Sequence, residues 1–237
     1  MLDSHKKIHC YGEINGYKYF TDNVKINHRK KFEAFQLPIW TELFVEYECI
    51  KNYKKDNDQI VFIFRDPKQV IASMKCLTIK GQNYINYEVI KNIKIWLEDE
   101  SRSFKKEFEN EIDINNEIKS AICYWKYKNN SYFKMRKLNW DIFLLDYDQL
   151  VENPQENISN LMKFLKINWD PNVLNHHMVH HDEVFKNELT LGNTNSKRQI
   201  DKKSTHKWEK ILLPNEIDMI ENKTKKEKED LLSHVNS

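Results

Sequence analysis

The sequence has 237 residues, enough for one α/β domain with a hydrophobic core. Its 38 basic and 36 acidic residues leave a formal net charge of +2, which argues against binding of nucleic acid through bulk charge but permits a local anion site. The four cysteines form no Cys-x-x-Cys pair and no apolar run reaches the length of a membrane span, so we expect a cytoplasmic protein without a disulfide framework, a zinc site or a membrane span.

The first candidate catalytic residue lies close to the N-terminus. Residues 1–8 are polar and are expected to be frayed, and residues 9–14 form a short apolar run that ends in a loop at Gly12 and Glu13. Glu13 is a candidate general base, but the local sequence favours a solvated carboxylate. Further on, residues 40–53 carry apolar side chains at helical spacing and predict a helix.

The strongest pattern in the sequence is a strand followed by a tight turn and a helix start. Residues 60–64 are an unbroken apolar run rich in β-branched and aromatic side chains, which predicts a strand buried on both faces. Asp66 suits a helix N-cap, Pro67 suits the first helical position, and Gln69 occupies the place of a capping-box partner. We expect this helix to end near Gly81.

The same turn is a candidate anion site. The peptide N–H groups and the dipole at a helix N-terminus attract anions, and Arg65 offers a planar pair of donors that matches a phosphate. Ser73, about two turns into the helix, supplies a hydroxyl that can reach the same anion. The alternative is a capped helix with a surface salt bridge and no ligand.

Later segments predict further helices and a second strand. Residues 84–97 and 117–132 have amphipathic helical spacing, and residues 140–145 form a second short apolar strand. Asn153 and Pro154 repeat the combination of a cap and a proline at the first helical position, so another helix begins there. Alternation of strands and helices predicts a parallel sheet covered by helices.

Two groups of polar residues have the spacing of metal ligands. Asp146-Tyr147-Asp148 has the spacing of the paired-acid motif of metal-dependent glycosyltransferases, an interpretation that competes with a strand end. Four histidines at positions 176, 177, 180 and 181 pair at intervals of four, but no carboxylate or cysteine completes a ligand set. A solvated helix end is therefore favoured for the histidines.

The last part of the sequence contains a second basic segment. A polar loop follows Gly192 and brings Arg198 within reach of an anion, a short helix begins at Thr205, and another runs from Pro214 to about Glu221. The mixed-charge residues after it are expected to form a solvated polar tail over 222–237. Without internal repeats or a linker, residues 1–237 form a single predicted domain.

Four of these segments, in this order, resemble the sulfotransferases that use 3′-phosphoadenosine 5′-phosphosulfate (PAPS). The resemblance covers about residues 9–221. The segments are Ile63-Phe64-Arg65-Asp66-Pro67 with Ser73, the stretch from Asp146 to Pro154, the loop from Gly192 to Ile200, and His206-Lys207-Trp208 with Leu212.

The resemblance implies a fold, a reaction and a set of site residues. The fold would be the α/β fold of nucleotide kinases, a parallel sheet flanked by helices, and the reaction would be sulfuryl transfer from PAPS to a hydroxyl of a carbohydrate or small molecule, without a metal. Arg65 and Ser73 would hold the 3′-phosphate, and Arg198 would close over it. Glu13 corresponds to the position where several members keep a catalytic carboxylate.

The sequence departs from the family at its N-terminus. In the family a strand and a Ser-Gly-Thr loop, which hold the 5′-phosphosulfate, precede the glycine-glutamate segment. Here Glu13 is almost N-terminal and no Ser-Gly-Thr stretch occurs in the sequence. We therefore expect an N-terminally truncated form of the fold that is incomplete or inactive as this chain. The alternative function is a non-catalytic module that binds adenosine 3′,5′-bisphosphate.

Overall fold

The computed structural model describes residues 1–11, 32–35, 58–100, 102–178 and 199–235. The chain divides into two compact units, one of residues 1–59 and 149–201 and the other of residues 60–148 and 202–237. In the part of the chain that the structure describes, no helix combines the length and the apolar character needed to cross a membrane.

The secondary structure of the described residues alternates between strands and helices. The strands are β1 (Ile8–Tyr11), β2 (Phe32–Phe35), β3 (Gln59–Phe64), β4 (Thr78–Ile79), β5 (Gln82–Asn83) and β6 (Asp141–Asp146). The α-helices are α1 (Pro67–Cys76), α2 (Ile90–Glu98), α3 (Phe104–Phe108), α4 (Glu117–Lys137), α5 (Tyr147–Glu152), α6 (Pro154–Phe164) and α7 (Pro214–Leu232). A π-helical turn, Ile85–Val89, precedes α2, and 3₁₀ turns occupy Leu2–Ser4, Pro171–Val173, Lys202–Ser204 and Lys207–Lys210.

In the first unit, β1 and β2 are parallel, with Ile8 opposite Phe32. The prediction that the N-terminal residues are frayed is wrong. The His5 ring is buried and its Nε2 lies 3.0 Å from the carbonyl oxygen of Asn168, while the Lys6 N–H donates to Asp170 Oδ2 at 3.0 Å. These partners are remote in sequence, so local polarity gave no sign of them.

In the second unit, the strand, turn and helix start form where the sequence predicts them, but the prediction that the strand is buried on both faces is wrong. Phe62 and Phe64 are buried, whereas Ile63 on the other face is 53% exposed. β3 pairs with β6, and α1 starts at Pro67. The Asp66 side chain caps the helix by accepting a hydrogen bond from the Lys68 N–H at 2.9 Å. The proline fixes a helical φ at a position whose N–H has no helical partner, so both residues favour a helix start here.

The end of α1 corrects the sequence prediction. The helix stops at Cys76, and β4 and β5 form a short antiparallel hairpin in which Ile79 pairs with Gln82. Lys80 and Gly81 both have positive φ, 49° and 81°. Two successive positive φ angles are characteristic of a tight hairpin turn, so Gly81 turns a hairpin and does not end the helix.

The later helices lie where the sequence predicts them, but their lengths differ from the predicted ones. The segment 84–97 is helical with a π-helical first turn, and α4 continues to Lys137. α6 begins at Pro154 as predicted, but the Asn153 side chain makes no capping hydrogen bond. β6 runs one residue later than the predicted strand.

The largest difference concerns the C-terminal part of the second unit. The charged residues after Glu221 were expected to be a solvated tail, yet they belong to α7, which continues to Leu232. Thr224 and Leu231 are buried on this helix. α7 packs against α1 and α4, and these contacts give a mixed-charge sequence a fixed position.

The core of the second unit is rich in aromatic side chains. Trp96 of α2 stacks on Tyr124 of α4 with ring centroids 5.5 Å apart, and Phe104 of α3 meets Tyr127 edge-on at 4.9 Å. All four rings are buried. This packing holds α2 and α3 against α4.

Candidate anion-binding site

The candidate site lies in the turn between β3 and α1, in the second unit. Arg65 is the first residue after β3, and the buried Trp125 indole of α4 donates a hydrogen bond to its backbone carbonyl oxygen at 3.1 Å. The Asp66 side chain then caps α1. The backbone of the turn is therefore held from the helix side and from the core side.

Two contacts fix the Arg65 guanidinium. Its Nε donates to Gln69 Oε1 at 2.7 Å, and its Cζ lies 4.5 Å from the centroid of the Tyr147 ring. The cation–π contact and the hydrogen bond together restrict the position of the guanidinium. A guanidinium held in this way is preorganised to donate to a planar or tetrahedral oxyanion.

Gln69 joins this arginine to the end of β6. The Gln69 Nε2 donates to both carboxylate oxygens of Asp148, at 2.9 and 2.8 Å. The Asp148 N–H in turn donates to Oδ1 of the buried Asp146 at 2.8 Å. The Gln69 amide therefore does not act as the predicted capping-box acceptor, because both of its polar atoms are used in a bridge between Arg65 and Asp148.

These contacts place the carboxyl ends of β3 and β6 side by side. Arg65 directly follows β3 and Tyr147 directly follows β6, and the two side chains touch. β3 and β6 are neighbours in one sheet, and because the residues that follow them are in contact, their carboxyl ends lie at the same edge, as in a parallel pair. In open α/β sheets, ligands bind at the carboxyl ends of parallel strands, which is where this arginine lies.

Two lysines flank the turn. Lys68 Nζ lies 4.3 Å from the centroid of the Trp208 ring and forms an ion pair with Glu221 of α7. Lys228, also on α7, donates to Asp66 Oδ2 at 2.5 Å. Both lysines are paired with carboxylates, whereas Arg65 donates to the neutral Gln69 side chain and lies over the Tyr147 ring.

Two of the four predicted site residues, Arg65 and Ser73, lie in the part of the chain that the structure describes. Arg65 lies at the turn as expected, and Ser73 is exposed on α1, about 12 Å further along the helix. Gln69 and Ser73 lie four residues apart on α1, the first buried and the second exposed, and Arg65 precedes the helix. Glu13 and Arg198 lie outside the described residues.

The candidate metal ligands have protein partners. Asp146 and Asp148 accept the hydrogen bonds given above, and among the described residues no group of three or more histidine, cysteine or acidic side chains could hold a metal ion. His177 Nε2 lies 3.1 Å from the Gln199 side-chain nitrogen. His180 and His181 lie outside the described residues.

Sequence reasoning missed three residues of this site. Gln69 was assigned to helix capping, a role that the same position supports equally well. Tyr147 belongs to a segment that carried the family resemblance, but nothing in the sequence showed that its ring lies under Arg65. Lys228 lies in a charged run without any local signal, and only the packing of α7 on α1 reveals its partner.

The comparisons with known proteins agree with this geometry. The family model described as the sulfotransferase domain matches residues 7–231. The sulfotransferase domain from the curacin biosynthetic pathway is structurally similar with a TM-score of 0.50 and 16% identity, over 89% of this chain and 67% of that chain. The sulfotransferase domain from the Synechococcus PCC 7002 olefin synthase gives a TM-score of 0.47 and 17% identity, over 81% of this chain and 58% of that chain.

The two structural similarities differ in weight. At this level of identity the curacin domain shows a shared fold only, and the similarity to the olefin synthase domain is too low to support an argument. No curated protein matches the sequence. The family match spans nearly the whole chain and includes the α7 residues beyond the segment that carried the sequence resemblance. Together with the parallel strands and the covering helices, the family match confirms the predicted α/β fold. It also shows that this chain belongs to the sulfotransferase domain family, whose members are transferases.

Proposed function

We propose that this sulfotransferase takes the sulfuryl group from PAPS and transfers it to a hydroxyl of a carbohydrate or small molecule. The observation that carries the proposal is the Arg65 guanidinium, held between Gln69 and Tyr147 at the carboxyl ends of two neighbouring strands. The family match gives this arginine its context, because the 3′-phosphate of PAPS requires a fixed cationic donor.

The residues at the turn fit a phosphate. Arg65 supplies planar donors, and the N-terminal end of α1 adds the positive end of a helix dipole. The two nearest carboxylates both have hydrogen-bond donors. Asp66 accepts from Lys68 and Lys228, and Asp148 accepts from Gln69. The site therefore combines positive charge with acids that already have donors.

Each proposed residue has a defined task in the transfer. PAPS supplies a sulfuryl group whose bond to the leaving phosphate oxygen is broken as the acceptor oxygen bonds to sulfur. Arg65 and Ser73 hold the 3′-phosphate, and Arg198 closes over it. The Glu13 carboxylate takes the proton of the attacking hydroxyl, a role that typically contributes about 10²- to 10⁴-fold in rate.

A calorimetric titration with adenosine 3′,5′-bisphosphate tests the nucleotide site. We expect selective binding over AMP, which lacks the 3′-phosphate. Arg65→Ala should weaken binding of the bisphosphate by roughly 1.5–3 kcal/mol, the loss of a hydrogen bond to a charged group. Arg136→Ala is the matched control, because it removes an exposed guanidinium of α4 that donates to Tyr132. Equal affinities of the wild type and the Arg65 variant would refute the assignment.

Turnover separates catalysis from binding. Glu13→Gln should abolish transfer of the sulfuryl group from PAPS while leaving the affinity for adenosine 3′,5′-bisphosphate nearly unchanged, because the base contacts the acceptor and not the 3′-phosphate. If the wild type binds the bisphosphate and transfers nothing to any hydroxyl acceptor, the protein is instead a non-catalytic nucleotide-binding module.

A further inference from the structure

Three ion pairs join α1, or the turn before it, to α7, and one of them differs in polarity. They are Lys75–Glu216, Lys68–Glu221 and Asp66–Lys228. In the first two the lysine belongs to α1 and the acid to α7. In the third the acid is the N-cap of α1 and the lysine comes from α7. This reversed pair is the one beside Arg65.

The Asp66 carboxylate stabilises the start of α1 but can also compete with a bound phosphate for Arg65. One oxygen caps α1 through the Lys68 N–H, which helps to start the helix. The side chain is 11% exposed, so solvent screens its charge only weakly. Asp66 is also the direct neighbour of Arg65 in sequence. A carboxylate so close to the arginine can pair with the guanidinium and compete with a bound phosphate.

Lys228 removes this competition. Its Nζ lies 2.5 Å from Asp66 Oδ2, the oxygen that does not cap the helix. Both carboxylate oxygens are therefore bound to donors other than Arg65. Arg65 for its part donates to Gln69 and stacks on Tyr147. The carboxylate and the guanidinium are thus held by different partners although they belong to adjacent residues.

We propose that Lys228 is a positioning residue of the nucleotide site. It holds Asp66 away from Arg65, so that the arginine keeps the orientation in which it binds the 3′-phosphate. This inference rests on the proposed function, since it assigns Lys228 to the same phosphate site. It makes the C-terminal helix, which the sequence predicted to be a solvated tail, part of the apparatus that binds nucleotide.

A double-mutant cycle tests the proposal. The affinity for adenosine 3′,5′-bisphosphate is measured by calorimetry for the wild type, Lys228→Met, Asp66→Asn and the double variant. Asparagine retains the helix cap but cannot form an ion pair with Arg65. We expect Lys228→Met to weaken binding about three- to tenfold in the wild type and by less than about twofold in the Asp66→Asn background. A direct attraction between Lys228 and the ligand would persist in the Asp66→Asn background, so the cycle separates it from positioning.

Two further variants separate positioning from general stability. Lys75→Met removes an ion pair between the same two helices, about 13 Å further along α1, and should leave the affinity unchanged. Lys228→Arg keeps the charge and should bind as the wild type does. Thermal denaturation of every variant shows whether a loss of affinity follows a loss of folded protein.

The outcomes are distinct. An equal effect of Lys228→Met in both Asp66 backgrounds, or an equal loss with Lys75→Met, overturns the positioning role. If the wild type binds the bisphosphate and Arg65→Ala weakens it while Lys228→Met does not, only this inference fails. If the wild type does not bind the bisphosphate at all, the proposed function fails and the inference fails with it.

Discussion

The indole N–H of Trp125 donates a hydrogen bond to the backbone carbonyl oxygen of Arg65 at 3.1 Å. Trp125 belongs to α4, the longest helix of the described residues, and its ring is buried. The bond therefore connects the core of the second unit to the backbone of the candidate anion site. It satisfies a carbonyl at the point where β3 ends and α1 has not yet begun, a position outside regular secondary structure.

Trp125→Phe should loosen this turn. The substitution keeps an aromatic ring but removes the donor, which leaves the Arg65 carbonyl without its indole partner and costs about 1–3 kcal/mol in the free energy of unfolding. We also expect weaker binding of adenosine 3′,5′-bisphosphate. Urea denaturation and calorimetry measure the two effects. Tyr132→Phe, which removes a buried hydroxyl from the same helix but away from the turn, should not change the affinity.

Gln69 offers a sharper test of how Arg65 is oriented. Gln69→Leu removes the acceptor of the Arg65 Nε and the two bonds to Asp148, so we expect roughly tenfold weaker nucleotide binding. Gln69→Glu keeps an acceptor for Arg65 but places a second carboxylate against Asp148. Its repulsion of Asp148 and its direct pairing with Arg65 should weaken binding further. If Gln69→Glu bound the nucleotide as tightly as the wild type, the bridge would have no role in binding.

The turn between β3 and α1 shows what the sequence could predict. The apolar run, the Asp66 cap and Pro67 act within a few residues of one another, and local chemistry was enough to place the strand end and the helix start. The positions of Arg65 and Ser73 on this element followed directly. The contacts that orient Arg65 come from Tyr147 and Gln69, and the first of these depends on strand pairing between segments remote in sequence.

The errors have the same origin. His5 and Lys6 were expected to be frayed because their sequence is polar, yet their partners Asn168 and Asp170 lie far along the chain. The charged run after Glu221 was expected to be solvated although lysine and glutamate are good helix formers. Its ion pairs, Lys228 with Asp66 and Glu227 with Lys126, could not be deduced without knowing that α7 packs against α1 and α4.

The cysteines provide a test of packing in the second unit. Cys76 is exposed at the end of α1, whereas Cys123 is buried in α4. Burial and then the nearby charge of Glu111 raise the pKa of the Cys123 thiol to about 11, so little thiolate is present at neutral pH. We expect iodoacetamide to modify Cys76 in the native protein and Cys123 only after unfolding in urea. Mass spectrometry of the labelled peptides distinguishes the two, and equal native labelling would contradict the packing of α4.

Replacing either of two lysines on α4 by methionine should change the free energy of unfolding, in opposite directions. Lys126 Nζ lies 2.9 Å from carboxylate oxygens of Glu111 and Glu227. Lys128 Nζ is buried 5.2 and 5.1 Å from the ring centroids of Trp96 and Tyr124, and among the described residues it has no hydrogen-bond partner. Lys126→Met should destabilise the protein by about 1–3 kcal/mol, because the carboxylates of Glu111 and Glu227 lose this donor. Lys128→Met should stabilise it by about 1–4 kcal/mol, because methionine fills the same space without a buried amine.

The pH dependence of the two variants distinguishes this explanation from a simple packing effect. Burial, and next the charge of Arg102, lower the pKa of Lys128 well below its ordinary value, so the unfolded chain binds a proton that the folded protein does not. The stability of the wild type therefore rises with pH until the unfolded lysine titrates near about 10.4, and the advantage of Lys128→Met shrinks over the same range.

Lys126 behaves in the opposite way. Burial opposes its charge, but the bonds to Glu227 and Glu111 outweigh that effect and raise its pKa, so its stabilisation is fully present below about 10.4 and disappears only as the pH rises through the folded pKa. Urea denaturation at about pH 7 and pH 9.5 should therefore give a smaller gain for Lys128→Met at the higher pH and an unchanged loss for Lys126→Met. If Lys128→Met were less stable than the wild type at neutral pH, the Lys128 amine would have a hydrogen-bond or ion-pair partner in the folded protein, because only such a partner offsets the free energy of burying a charge.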